Sequence, residues 1–94
     1  METEEFEWDD EKNAVNIKNH GIAFETAIRA FDDERAIPYV DRMHSGVGEP
    51  RYALLGMCDA GLLFISFTYR GQRTRIISAR RASRRMERIY AEND

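Results

Sequence analysis

One cysteine, Cys58, stands in the 94-residue chain, so an internal disulfide is impossible. Its setting in Leu54-Leu55-Gly56-Met57-Cys58 reads as a core strand carrying an inert thiol, as in a cytoplasmic protein. No apolar run approaches the roughly 18 residues of a membrane span, and the acidic stretch from Met1 to Glu11 is the reverse of a signal peptide. No set of Cys, His and carboxylates has structural-zinc spacing, and no glycine loop is placed to cradle phosphate, so neither a metal nor a cofactor is expected. Internal repeats and linkers are missing too. With 43% apolar and 11% aromatic residues, the composition suits one globular domain over 1–94 and argues against disorder.

What is present is arginine, unevenly placed. Eight of the twelve arginines lie between Arg70 and Arg88. Against Glu87, Glu92 and Asp94 they give residues 70–94 a net +5, which leaves −8 on the first 69 residues of a chain whose total is −3. Guanidinium groups gathered in an otherwise acidic protein imply a specific anionic partner. Their planar donor fork suits phosphate, so nucleic acid is the first candidate and a carboxylate-rich protein the second. A DNA-binding regulator acting alone is disfavoured by the net charge and the lack of a helix-turn-helix pattern.

Along the chain, Phe6-Glu7-Trp8 alternates as a short strand. Asp9 or Asp10 then caps a helix that Gly21 stops after His20, with a thin apolar face of Ala14, Val15 and Ile17. Phe24, Ala27, Ile28 and Phe31 make the buried stripe of a second helix, ended by Asp32-Asp33. Ala36 to Val40 reads as an edge strand because Pro38 cannot donate to a ladder. His44 to Pro50 reads as a flexible loop. Tyr52 to Cys58, Leu62 to Tyr69 and Arg73 to Arg80 are hairpin-linked strands, the second of them central. On the last, Arg73 and Arg75 point one way and Arg80 the other, with Ile76 and Ser78. Ser83 caps a final helix with Met86, Ile89 and Tyr90 on one face. The order β-α-α-β-β-β-β-α indicates an α+β domain, an antiparallel sheet with helices packed on one face.

These residues, in order, also carry a resemblance: Phe6-Glu7-Trp8-Asp9 with Lys12 and Asn16; His20-Gly21-Ile22 with Phe24, Ala27, Phe31 and Asp32; Asp41 with His44-Ser45, Gly48-Glu49 and Arg51; Gly56; and Arg75 through Ala82, with Tyr90. The sequence resembles the BrnT family, toxins of bacterial type II toxin–antitoxin pairs with a RelE-like fold. It departs from the family at Asn19, where a Lys is common, and at Met86, where Glu is usual and here follows as Glu87. The resemblance implies a growth-arresting ribonuclease, neutralised by a ribbon-helix-helix (BrnA-like) antitoxin that alone contacts operator DNA. It further implies a toxin monomeric by itself and dimeric when bridged by antitoxin.

Metal-independent RNA cleavage uses the substrate's 2′-OH as nucleophile and needs a base, cationic donors for the phosphorane and an acid for the 5′-oxygen. Arginine stays protonated and so serves as a clamp. The candidate proton carriers are His20, His44, Lys18, Glu49 and Tyr90. Each has an ordinary reading as well: His44 as a solvated loop residue or a contact to Glu49, His20 as a partner of its helix's last carbonyls, Lys18 as an exposed helix residue and Tyr90 as core. Arg80 is either a phosphate clamp or half of a buried ion pair with Asp9 or Asp41. Catalysis is therefore assigned to His44, Arg51, Arg80 and His20, and substrate binding to Lys18, Arg75, Arg81, Arg84 and Arg85. Trp8, Phe24, Phe31 and Phe64 are assigned to the core rather than to a base-stacking platform. A non-catalytic RNA- or protein-binding module using the arginine face is the alternative.

Overall fold

The computed structural model describes residues 1–46 and 48–93. The elements run β1 (Phe6–Glu7), α1 (Asp10–His20), α2 (Phe24–Ala27), a 3-10 turn (Ile28–Asp32), β2 (Ile37–Gly46), β3 (Glu49–Cys58), β4 (Gly61–Arg70), β5 (Arg73–Arg81) and α3 (Arg84–Glu92). The strands form one sheet in the order β1-β5-β4-β3-β2. This places β4 at the centre and the proline-bearing β2 at an edge. The sheet is mixed, not wholly antiparallel, because β1 runs parallel to β5. No hairpin dictates the direction of β1. It is held by Phe6 packing edge-on against Phe31 and by Glu7 accepting from Arg75 at 2.7 Å.

One face of the sheet is covered. Trp8, Phe24, Ala27 and Ala30 pack on Leu54, Leu63, Ile65, Phe67, Ile76 and Ala79. The second helix tightens after Ala27 into the 3-10 turn, so its buried positions follow a period of three, Phe24-Ala27-Ala30, while Ile28 and Phe31 are only partly buried. The tight approach is possible because β3 carries Gly56 there. A Cβ on Gly56 would lie 2.8 Å from the Ala30 carbonyl oxygen.

Helix α1 docks in a way its apolar residues did not suggest. Val15 and Ile17 are exposed, and Asn13 and Asn16 are buried instead. Asn16 donates to the carbonyls of Ile22 and Ala79, both at 2.8 Å, and accepts from the Ala79 N–H at 3.1 Å. Asn13 accepts from the Phe24 N–H and donates to Glu25, both at 2.8 Å. Asp9 caps the helix start, and the Lys12 and Glu11 amides it accepts from hold its carboxyl below the usual range. Gly21, at φ 71°, ends the helix in the left-handed conformation.

Two irregularities position the opposite face. In β5 the register passes from Ser66↔Ser78 to Phe67↔Ile76, which leaves Ile77 without a partner. This bulge resets the alternation, so Ile76 and Ala79 both enter the core. Arg80 consequently lies on the face away from Ile76, with Arg75 rather than opposite it. In β2 the register jumps from Asp41↔Arg51 to Gly46↔Glu49, so residues 42–45 bulge outward. The segment expected as a loop from His44 to Pro50 is thus mostly strand, with Val47 outside the described residues.

Helix α3 is capped by Ser83, whose Oγ accepts from the Met86 N–H, and it buries none of its residues. It does not join the helices on the core face but lies against the β3–β4 hairpin. The Tyr90 hydroxyl donates to Asp33 at 2.6 Å, and Arg35 lies over the Tyr90 ring. Among the described residues no helix is long and apolar enough to cross a membrane.

Candidate active site

The opposite face of the sheet, against which α3 lies only at the β3–β4 hairpin, holds three side-chain rows set by register. Asp41 on β2 stands beside Arg51 on β3; Ser66 on β4 beside Ser78 on β5; Phe64 on β4 beside Arg80 on β5. The two serines are small, and the larger groups around them enclose a cavity of about 360 Å³. Its walls are Asp41, His44 and Arg51 on one side, Phe64 and Arg80 on the other, and His20 with Ile77 beside β5. A cavity of this volume takes a nucleotide-sized group.

The bulge in β2 exists to a large extent through Asp41. Its carboxylate accepts from the His44 backbone N–H at 3.2 Å and lies 2.8 Å from His44 Nδ1. Ser45 Oγ donates to the Asp41 carbonyl at 2.6 Å and accepts from the Arg51 N–H at 2.9 Å. These bonds fix the His44 ring at the cavity edge, where its side chain stays 68% exposed. Burial pushes the Asp41 carboxyl up, but the ring and backbone hydrogen bonds from His44 outweigh it and hold the group below the usual carboxylate range. With Asp41 ionised, Nδ1–H is the natural donor, which leaves Nε2 as the free nitrogen.

Arg80 has no carboxylate within ion-pair distance among the described residues. Its guanidinium lies 5.4 Å from the Phe64 ring centroid, a cation–π contact that steadies the side chain. Arg51 is likewise without an ion pair among the described residues, since Asp41, its cross-strand neighbour, is taken by His44. Two unneutralised guanidinium groups therefore share one cavity with a His–Asp pair.

All four residues assigned to catalysis, His44, Arg51, Arg80 and His20, line this cavity; the five assigned to substrate binding do not. Arg75 is held by Glu7 in a half-buried pair. Arg70 and Arg73 face Glu49 and Glu2. Lys18, Arg81, Arg84 and Arg85 are exposed outside the cavity. The arginine-rich segment does not converge as a unit; Arg80 alone of its members joins the pocket. Tyr90 is occupied with Asp33, and Glu49 neighbours Arg70 rather than His44. Asp41, Ser66, Ser78 and Phe64 were not assigned to the site from sequence. The Asp41–His44 spacing was the one signal that could have found the first.

Among the described residues no three His, Cys, Asp or Glu side chains cluster as metal ligands do. Fold and cavity together define a small α+β protein with an arginine- and histidine-lined pocket on the sheet face opposite its main core. A family model described as the ribonuclease toxin, BrnT, of type II toxin–antitoxin systems matches residues 8–85, and the chain belongs to that family. No curated protein matches it.

Proposed function

We propose that the protein is a metal-independent endoribonuclease whose active site is the cavity between Asp41, Arg51 and Arg80. Arg51 and Arg80 hold the scissile phosphate and stabilise the charge that builds on its non-bridging oxygens. His44 Nε2 takes the proton of the 2′-OH as that oxygen attacks phosphorus. The bond to the 5′-oxygen breaks, and His20 supplies the proton that the leaving oxygen needs. The products are a 2′,3′-cyclic phosphate and a 5′-hydroxyl. Asp41 fixes the His44 tautomer and stabilises the imidazolium once formed. The observation that carries this reading is the shared cavity, where a carboxylate-held imidazole meets two guanidinium groups free of acids.

The order of elements supports a RelE-like fold. Membership of the family supports an antitoxin partner. Its ribbon-helix-helix type, the bridged toxin dimer and operator binding through the antitoxin follow from the resemblance. An antitoxin supplying carboxylates to the cavity rim would exclude RNA.

The test is incubation of purified protein with single-stranded RNA and its 2′-deoxy analogue, in chelator. Cleavage of RNA alone, with cyclic-phosphate ends, is expected, and His44→Ala and Arg80→Ala should each slow it about 10²-fold or more. Full activity in both variants overturns the site. Intact RNA at high protein excess overturns the nuclease and leaves the binding module.

A further inference from the structure

The aromatic side chains divide by face. Phe6, Phe31, Phe67, Tyr52 and Tyr69 form one continuous chain of ring contacts on the core side, and Trp8 meets Phe24 in the same core. Tyr39 and Phe64 stand apart. Their register partners, Ala53 and Leu55, put both on the face opposite the main core. Their ring centroids are 6.1 Å apart with planes inclined at 55°, so the pair does not close into a parallel stack. Phe64 lines the cavity and carries the Arg80 guanidinium, while Tyr39, on the edge strand, is 36% exposed.

We infer that Tyr39, Phe64 and the Arg80 guanidinium form a nucleobase-stacking subsite for the base adjoining the phosphate held in the cavity. The inference rests on the nuclease reading and names which part of the RNA the site grips besides phosphate. Single-stranded RNA is recognised where unstacked bases are laid on aromatic rings or on guanidinium planes, and both surfaces meet here. The group that clamps the phosphate also touches the ring, so one nucleotide places its phosphate and its base on adjoining surfaces. Such stacking accepts any base, because each has a π face. The site therefore discriminates a splayed single strand from a paired one rather than one base from another.

The experiment uses the full chain and an oligoribonucleotide made uncleavable by a 2′-deoxy sugar at the scissile position. It carries the fluorescent base 2-aminopurine at successive positions, and is compared with strands abasic at the same places. Quenching at one position next to the deoxy sugar is expected. An abasic site there should weaken binding roughly tenfold to a hundredfold. Tyr39→Ala should lose the same factor on the intact strand and nothing further on the abasic one, and Tyr39→Phe should restore binding. Phe64→Leu serves as a second variant, with thermal unfolding checking that both fold. Equal weakening of intact and abasic strands by Tyr39→Ala, or no cost from the abasic site, overturns the subsite. Cleavage of the all-ribose strand, measured alongside, reports on the nuclease separately. Base-dependent binding without cleavage supports the subsite and overturns the nuclease.

Discussion

Asn16 does the work of a missing strand. Beyond its short pairing with β1, the outer edge of β5 has no neighbour at Ala79, and the Asn16 amide satisfies both the N–H and the carbonyl of that residue. Its second donor bond, to Ile22, fixes the chain leaving α1, and so holds His20 beside the cavity. A buried backbone group left without a partner costs about 1–3 kcal/mol, and Asn16→Ala orphans three, so a loss of about 3 kcal/mol or more is expected in urea unfolding. A loss under about 1 kcal/mol would mean that water replaces the amide. Asp41 offers a parallel case where the loss is chemical. Asn at position 41 can still accept from Nδ1–H but carries no charge, so Asp41→Asn should cut cleavage about 10²-fold or more while RNA binding stays close to wild type. Single-turnover rates and binding of uncleavable RNA separate the two effects.

Elements were legible in the sequence wherever periodicity or a cap set them. Asp9, Gly21 and Ser83 marked helix ends, Pro38 marked an edge strand, and the hairpins fell where glycine and aspartate placed them. What escaped was whatever depends on partners distant in sequence. The bulge at Ile77 inverts the face of Arg80 without any local mark, and α1 docks through amides that read as a polar surface. The parallel direction of β1 was equally hidden, because no hairpin joins it to β5. The attachment of α3 belongs to this group as well, since it depends on Tyr90 reaching Asp33 across 57 residues. Burial pushes the Asp33 carboxyl up, but the hydrogen bonds from Tyr90, Met57 and Arg35 outweigh it and lower its pKa; the same Asp33 bond raises that of Tyr90. A depressed carboxyl stabilises the fold above its unfolded pKa and loses that contribution as pH falls through the folded value. A raised phenol stabilises below its unfolded pKa and loses it as pH rises through the folded value. Tyr90→Phe should therefore lower the melting temperature most at neutral pH and flatten both the acid and the alkaline limbs. Coincident profiles of variant and wild type would show that the bond contributes nothing.

At the scale of the whole molecule, a chain of net charge −3 must bind a polyanion against its own field. Long-range attraction cannot assist much, and screening limits its reach to about 10 Å at 0.1 M salt. Affinity must then come from the few cations placed at the phosphate. Each phosphate contact on a single strand contributes a slope of about −0.7 to log K against log salt. Both guanidinium groups of the cavity hold one phosphate, which predicts about −0.7, and Arg51→Gln or Arg80→Gln should each bring that nearer zero. Arg84→Gln and Arg85→Gln bear on the alternative, because these exposed side chains lie outside the cavity. If α3 adds an electrostatic track for the strand beyond the cut, the wild-type slope is steeper and these two substitutions reduce it. If the cavity alone grips RNA, they leave the slope unchanged, and the arginines of α3 are free for a carboxylate-bearing protein. A slope indifferent to Arg51 and Arg80 yet sensitive to Arg84 and Arg85 would move the RNA site from the sheet to the helix.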